Sequence, residues 1–169
     1  MADRAFERFN TLLAQFIHKF GLACFHGFAE DFLHNLLGKS EPHLYGHESL
    51  ADVQQRCAAQ AAQLKLALEF RQSNAESQLI DWIHEARERA GGLIINPGAY
   101  AHTSIAIRDA LLACTCPILE VHISNVYQRE AFRHHSYVAG VAAGVIIGCG
   151  TQGYVLALQR IGQLLDTAA

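Results

Sequence analysis

A dense group of polar side chains follows the short apolar segment CPILE, which has the pattern of a buried strand. Residues 120 to 137, EVHISNVYQREAFRHHSY, bring carboxylate, imidazole, hydroxyl, amide and guanidinium groups together and contain no Lys, Gly or Pro. A loop that simply faces solvent is usually rich in those three residue types. We therefore expect these polar groups either to satisfy one another or to hold a small polar molecule.

His122 is the residue in this segment best suited to proton transfer. Glu120 lies two positions before it at the end of the predicted strand, so that both side chains share one face of the strand. A carboxylate beside an imidazole fixes its tautomer and stabilises its protonated form, as a general acid requires. A single histidine at a strand end is more often structural, but the nearby Ser124, Asn125 and Arg133 favour a site.

A second group of polar residues lies in the segment NPGAYAHTSIAIRDA. Asn96 ends a predicted strand, and residues 102–104 begin the next predicted helix, where exposed backbone N–H groups favour anions or hydroxyls. His102 is explained equally well as part of the helix cap. Asp109 lies beyond Arg108 on the same helix, and a solvated pair between these neighbours is its alternative explanation. Because ligands of open parallel sheets bind outside the carboxyl ends of the strands, both polar groups are expected at one edge.

Other motifs carry weaker functional signals. The segment GCGTQG, residues 148–153, matches a dinucleotide-binding pattern, but it lies in the last β-α unit with no later acidic partner, which favours a tight turn. His134 and His135 are adjacent and cannot easily bind one metal ion together, so no metal site is predicted. The cysteines form no C-x-x-C pair and are predicted to be buried free thiols in a reducing cytosol: Cys24, Cys57, Cys114, Cys116 and Cys149.

The elements that must position these groups alternate between strand and helix. Strands are predicted for FGLACFHG, LALEFRQS, GLIINP, PILEVHIS and GVAAGVIIG, and helices for SLADVQQRCAAQAAQLK, AESQLIDWIHEARERA, HTSIAIRDALLAC and TQGYVLALQRIGQLLDTA. Continuous apolar strands that alternate with helices indicate an α/β fold, with a parallel sheet covered by helices on both faces. The sequence also predicts a helical extension over residues 1–18 and a single domain over residues 19–169.

The composition excludes several classes of protein. A chain of 169 residues with 51% hydrophobic and 17% charged residues suits one compact domain. The formal net charge of −3 gives no electrostatic basis for binding nucleic acid. The longest apolar runs are interrupted by glycine and shorter than a membrane span, and the first residues show no secretory signal. We therefore expect a cytoplasmic protein that binds neither nucleic acid nor membranes.

Four collinear motifs resemble the type II 3-dehydroquinate dehydratases: QSNAESQLIDWIHEA, LIINPGAYAHTSIAIRDALL, PILEVHISNVYQREAFRHHSY and GVIIGCGTQGYVLAL. The resemblance extends from about residue 35 to residue 165. It implies a flavodoxin-like three-layer α/β/α sandwich with a five-stranded parallel sheet, assembled as a homododecamer of four trimers and using no metal or cofactor. The implied enzyme is a hydro-lyase of the shikimate pathway, which converts 3-dehydroquinate to 3-dehydroshikimate by anti elimination of water through an enolate.

The resemblance also implies roles for individual residues. His122 matches the general acid that protonates the departing hydroxyl, and Tyr45 in SEPHLYG, residues 40 to 46, matches the base on a mobile lid. The resemblance implies that Ile123 and Ser124 bind the substrate carboxylate. It also implies that four residues bind ring hydroxyls: Asn96, His102, Asp109 and Arg133. Each oxygen of a small polyhydroxy acid needs a partner, which explains the crowding of polar groups.

The chain departs from the family pattern before residue 45. Ser40 stands where the family's lid has an arginine, and HGFAEDFLHNLLG at residues 26–38 replaces the pattern HGPNLNLLG. A phenol titrates at about pH 10, so Tyr45 without a nearby guanidinium is a weak base at neutral pH. Arg129 is a candidate for partial compensation.

Three interpretations of these departures remain open. The first is an active dehydratase with reduced activity. The second is a catalytically impaired homologue that keeps the pocket and the assembly as a binding or scaffold protein. The third is a shifted reading frame before residue 35, because seven of the nine phenylalanines lie in that stretch and the family pattern returns abruptly at NLLGK.

Overall fold

The strands form one parallel sheet, and their carboxyl ends meet at a common edge. The computed structural model describes residues 21–27, as backbone, and residues 48–167. The strands are β1 Gly21–Gly27, β2 Ala67–Ser73, β3 Gly92–Asn96, β4 Ile118–His122 and β5 Gly144–Ile147. They lie in the order β2-β1-β3-β4-β5, and each neighbouring pair is parallel. The predicted α/β fold with a parallel sheet is therefore confirmed.

Helices cover both faces of this sheet. In the described part of the chain they are α1 Leu50–Gln63, α2 Glu76–Arg89, α3 Ile105–Leu112 and α4 Gln152–Thr167. One buried cluster packs α1 and α4 against the face that carries Ile94 and Val121. A second cluster packs α2 and α3 against the opposite face, which carries Leu93 and Ile95. Consecutive side chains of a strand alternate between faces, so the uninterrupted apolar residues of β3 pack into both clusters.

The helix starts follow from side chains that cap them. Ser49 accepts a hydrogen bond from the backbone N–H of Asp52, and the Asp52 carboxylate accepts one from the backbone of Ser49, which completes a capping box. The predicted start of α1 is thus confirmed. The predicted start of α3 at His102 is wrong, because Gly98–His102 forms a short 3-10 helix and Ser104 caps the helix through the backbone N–H of Ile107.

The turn after β5 holds the end of β4 in place. Gly148 and Gly150 both adopt positive φ, at 77° and 57°, in the region that favours glycine. Their backbone N–H groups donate to the carbonyl oxygens of His122 and Ile123, at 3.1 and 3.0 Å. The segment GCGTQG therefore makes a tight turn that fixes the backbone of the polar segment, in agreement with the sequence prediction.

Several predicted features lie outside the described residues. These are the helical extension over residues 1–18, the segment 26–38 beyond its first two residues, Ser40 and Tyr45. The division of the chain at residue 18 stays a prediction. No helix in the described residues is long and apolar enough to cross a membrane.

The cysteine prediction is confirmed in part. In the described part of the chain Cys57, Cys114, Cys116 and Cys149 are free thiols, and of these four only Cys57 is fully buried; the side chain of Cys24 lies outside the described residues. Burial raises the pKa of the Cys57 thiol to about 11. The prediction that Cys149 is buried is wrong: it is exposed, because it lies between the two glycines of the tight turn, outside the core.

Candidate active site

A buried carboxylate and an imidazole form the centre of the site at the end of β4. His122 Nε2 lies 2.7 Å from Glu120 Oε1. Glu120 is fully buried and His122 is nearly so. A carboxylate only accepts hydrogen bonds, so Nε2 of His122 is the donor. The bond fixes the imidazole ring and leaves Nδ1 as the nitrogen that no described residue engages. The alternation of the strand places both side chains on one face, as predicted.

Ser136 provides a second donor to the same carboxylate. Its hydroxyl donates to Glu120 Oε1 at 2.7 Å, across sixteen residues of chain. The other carboxylate oxygen, Oε2, is buried and has no hydrogen-bond partner among the described residues. Buried polar atoms are nearly always paired, so both donors on Oε1 are important for keeping this carboxylate in place.

His102 lies beside His122 and is held by a different part of the chain. The two imidazole rings are stacked, with centroids 6.1 Å apart and planes 13° from parallel. Nδ1 of His102 lies 2.7 Å from the carbonyl oxygen of His135, and a carbonyl only accepts, so Nδ1 donates. His102 therefore lies against His122 and does not act as the cap of α3, a role that Ser104 fills.

Asn96 ends β3, next to β4, and its side chain is anchored by α4, which covers the sheet face opposite to that of Glu120 and His122. Its Nδ2 donates to the hydroxyl of Tyr154 at 2.7 Å, and its Oδ1 accepts from the backbone N–H of Gly98 at 3.1 Å. Tyr154 is fully buried on α4. These two bonds use one donor and one acceptor of the amide, which has two of each. The amide thus retains capacity for a further partner at the sheet edge.

Arg133 lies in a short 3-10 helix, Ala131–His134, that follows β4. Its Nε donates to Glu130 Oε2 at 2.8 Å, and its guanidinium lies 5.3 Å from the ring centroid of Phe132. The pKa of Glu130 lies below its usual value because its own backbone N–H and the Arg133 side chain stabilise the carboxylate. The chain thus places a mostly buried cation in the segment that follows His122.

Ile123 and Ser124 continue the chain directly beyond His122. The Ile123 side chain is buried in the cluster beneath α4, and its carbonyl accepts from Gly150. Ser124 is half-buried and follows in a bend. The backbone at this point is therefore held by the core on one side and by the glycine turn on the other.

Asp109 forms an ion pair with a neighbour on its own helix. It is exposed on α3 and pairs with the neighbouring Arg108 at 3.0 Å. Ile105 and Leu112 lie on the same helix four positions before it and three positions after it, and both are large exposed apolar residues. The exposed pair with Arg108, which was the alternative explanation of Asp109, is present, and the binding of substrate by Asp109 stays a prediction.

Comparison with known proteins identifies the family. The family model described as "Dehydroquinase class II" matches residues 32–162. This chain belongs to that family. The 3-dehydroquinate dehydratase 2 of Pseudomonas aeruginosa is 55% identical over 135 residues, which cover 80% of this chain and 91% of the relative. The 3-dehydroquinate dehydratase of Idiomarina loihiensis is 60% identical over 126 residues, 74% of this chain and 83% of the relative.

Solved structures of the family share the fold. The type II dehydroquinase of Propionibacterium acnes matches with a TM-score of 0.77 and 38% identity, covering 86% of this chain and 97% of that one. The type II dehydroquinase of Butyrivibrio crossotus matches with a TM-score of 0.78 at the same identity. The resemblance predicted from the four motifs is thus confirmed.

The dehydroquinase fold brings some of the predicted site residues together and leaves others apart. His102 and His122 lie side by side, with ring centroids 6.1 Å apart, and Asn96 ends the adjacent strand β3, whereas Asp109 lies on the exposed side of α3. Ser136 and Tyr154 were not predicted as site residues. Tyr154 could have been recognised from its place on the apolar side of α4, because a buried phenol hydroxyl needs a polar partner.

No group of three or more His, Cys, Asp or Glu side chains suited to a metal ion occurs in the described residues. The cluster at the end of β4 instead combines donors and acceptors for a small polar molecule with an imidazole placed for proton transfer.

Proposed function

We propose that this dehydroquinase is a 3-dehydroquinate dehydratase of type II, a hydro-lyase of the shikimate pathway. It removes water from 3-dehydroquinate by anti elimination through an enolate and releases 3-dehydroshikimate. The buried pair of Glu120 and His122 carries this proposal, because it places an oriented imidazole at the sheet edge where ligands of such folds bind. The family match over residues 32–162 supports the reaction.

His122 serves as the general acid. Glu120 holds Nε2–H, so Nδ1 is directed to the substrate; in the imidazolium form Nδ1 carries the second proton and donates it to the departing hydroxyl group, which leaves His122 neutral. A hydroxide ion is a poor leaving group, and a proton delivered as the bond breaks converts it to water. The stacked ring of His102 restricts His122 to one orientation.

The remaining polar residues hold the substrate. Ile123 and Ser124 follow His122 in the rigid bend and bind the carboxylate, while Asn96, His102 and Arg133 bind ring hydroxyls. The amide of Asn96 supports this assignment because one of its donors and one of its acceptors are already fixed by Tyr154 and Gly98. A substrate hydroxyl can use the remaining pair.

Tyr45 serves as the base that removes the proton from carbon 2. Since Ser40 replaces the family's lid arginine, the phenolate lacks its usual neighbouring cation and the reaction is slowed. Arg129 is the candidate for a substitute cation. Its side chain is mostly buried, and its Nε lies 3.8 Å from Glu130 Oε2.

We further propose a cytoplasmic homododecamer of four trimers, built from a flavodoxin-like five-stranded domain. The strand order β2-β1-β3-β4-β5 is that of flavodoxin-like sheets and supports the fold assignment. The exposed face of α3 supports an assembly, because Ile105 and Leu112 are 57% and 55% exposed on either side of Asp109. In the assembly Asp109 meets the pocket of a neighbouring copy.

A catalytically impaired homologue that binds substrate without turning it over is the second candidate. The observation that favours it is the serine at position 40. Such a protein keeps the Glu120–His122 pair and the assembly but lacks the electrostatic support for its base.

Stereospecific labelling tests the proposed reaction. The protein is incubated with two samples of 3-dehydroquinate that carry deuterium on opposite faces of carbon 2, and the product is examined by mass spectrometry. Anti elimination removes the label on the face opposite the departing hydroxyl and retains the other. Loss from the same face would contradict the assignment to type II. Saturable binding in calorimetry without any product would favour the impaired homologue.

A further inference from the structure

Ser136 has a hydroxyl group whose hydrogen bonds are completely specified. It accepts from the backbone N–H groups of Val138 and Ala139, each at 3.1 Å, and donates to Glu120 Oε1 at 2.7 Å. A serine hydroxyl has one donor and two acceptor sites, so all three are used. The two N–H donors thus leave the hydroxyl proton only one direction, toward the carboxylate.

The Glu120 carboxylate depends on this donor. Among the described residues, Oε1 receives both Ser136 and His122 Nε2, and Oε2 has no partner. The side chain is fully buried, so water does not replace a missing donor at low cost. Without Ser136 the carboxylate would keep, among the described residues, only its hydrogen bond to the imidazole, which fixes its orientation less well than two bonds do.

The three residues 135–137 hold both imidazoles of the site. The carbonyl of His135 accepts from His102 Nδ1 at 2.7 Å, Ser136 reaches Glu120, and the backbone N–H of Tyr137 donates to the carbonyl of Ala101 at 2.8 Å. The last bond ties this segment to the 3-10 helix that carries His102. One short segment therefore sets the orientation of the stacked pair of rings.

We propose that Ser136 is a positioning residue for the proton transfer: by fixing the Glu120 carboxylate, it keeps the His122 ring oriented with Nε2 on Glu120 and Nδ1 toward the substrate. This inference rests on the proposed function, in which His122 is the general acid. Ser136 touches neither the reacting atoms nor His122 itself and acts only through Glu120. The competing explanation is that Ser136 merely caps the turn at residues 138–139.

Three variants separate these explanations. Ser136→Ala removes the donor, and Ser136→Thr keeps a hydroxyl in the same place. Ser73→Ala is the matched control, because the Ser73 hydroxyl also accepts from a backbone N–H two residues later, that of Ala75, and donates to a side-chain oxygen, that of Gln78. Ser73 lies at the end of β2, outside the His122 cluster.

Steady-state kinetics of dehydration give the first readout. Loss of a residue that orients a functional ligand typically costs about 10–100-fold, so kcat of Ser136→Ala should fall by that factor. KM should stay close to that of the wild type, because no substrate contact is lost. Ser136→Thr should recover most of kcat, and Ser73→Ala should match the wild type.

Solid-state 15N NMR of protein labelled at histidine gives a readout that does not depend on turnover. The His122 signals are assigned by their absence in His122→Ala. In spectra of the neutral imidazole, the wild type should carry its proton on Nε2 and Ser136→Ala should show a mixture of the two tautomers, whereas Ser73→Ala should retain the wild-type signals. If the wild-type protein proved inactive, the proposed function would fail, and the NMR result would still decide the role of Ser136.

Wild-type kcat together with unchanged His122 signals in a folded Ser136→Ala protein would overturn the proposal. If Ser136→Ala does not fold, Ser136→Cys takes its place, because a thiol keeps the volume but is a weak donor. The same loss of kcat at constant KM is then expected, and wild-type kcat in Ser136→Cys would equally overturn the proposal.

Discussion

His122 and Glu120 each depend on the hydrogen bond between them, but for different reasons. The histidine needs the carboxylate to hold its ring, and the buried carboxylate needs the histidine because it has only one other donor among the described residues. A test of the general acid must therefore separate the loss of the acid from the loss of a partner for a buried charge.

Replacement of His122 by alanine should reduce kcat by about 10²–10⁴-fold, the usual contribution of a general acid. The variant should also lose about 1–3 kcal/mol in the free energy of unfolding, because Glu120 loses a hydrogen bond in a buried position. His122→Asn retains an amide donor near Glu120 and should lose the same activity with a smaller loss of stability. His84→Ala, on the exposed side of α2, is the control. Near-normal kcat in His122→Asn would show that His122 is structural.

Ser40 offers a test of the base. Ser40→Arg restores the cation that the family pattern places near Tyr45, so that both the phenolate and the developing enolate are stabilised. One preorganised electrostatic group is worth about 10²–10³-fold in kcat, and a gain approaching that range is expected. The acidic limb of the plot of kcat against pH should also move to lower pH, because that limb reports the base. Ser40→Gln serves as the uncharged control. If neither kcat nor the acidic limb changes in Ser40→Arg, Tyr45 is not a base that a cation at position 40 assists.

The tight turn between β5 and α4 is the element on which the backbone of the site depends. Its two glycines adopt positive φ and donate to the carbonyls of His122 and Ile123. A side chain at Gly148 would also place its Cβ 3.2 Å from Cβ of Asn125, whereas nothing lies within 4 Å at Gly150. A side chain would therefore meet Asn125 at Gly148 and nothing at Gly150, but both positions require a backbone with positive φ.

Three alanine variants should rank accordingly in stability. Gly150→Ala should lose about 1–2 kcal/mol from its left-handed backbone alone. Gly148→Ala should lose more than Gly150→Ala, since the clash with Asn125 is added, and kcat should fall because the end of β4 shifts. Gly140→Ala has neither problem and should match the wild type. Urea unfolding of the three proteins measures the order, and equal stability of all three would contradict this account of the turn.

Local sequence patterns predicted most of these elements because their causes are local. Strand alternation placed Glu120 beside His122, and the serine cap predicted the start of α1. The start of α3 was missed because a 3-10 helix, which ends at His102, interrupts the pattern. The contacts of Ser136 with Glu120 and of Asn96 with Tyr154 join distant segments, and periodicity carries no information about such pairs.

At the scale of the whole molecule, one helix presents an exposed apolar face in the part of the chain that the structure describes. Ile105 and Leu112 on α3 are both more than half exposed and flank Asp109. Such a face suits an interface between copies, and for the proposed dodecamer sedimentation equilibrium should give a mass near twelve times 18.6 kDa. Leu112→Glu should weaken the assembly by placing a charge in an apolar contact, with Glu88→Gln on α2 as the control. A stable wild-type monomer would contradict the proposed dodecamer.

The central claim is that the cluster around His122 dehydrates 3-dehydroquinate, and the ultraviolet absorbance of the product's enone tests it most directly. Purified protein is mixed with 3-dehydroquinate, and the absorbance is followed across a range of pH in parallel with His122→Asn. We expect a rise that is proportional to protein concentration, saturates with substrate and is abolished in the variant. A folded wild-type protein that binds 3-dehydroquinate but produces no enone at any pH would contradict the claim.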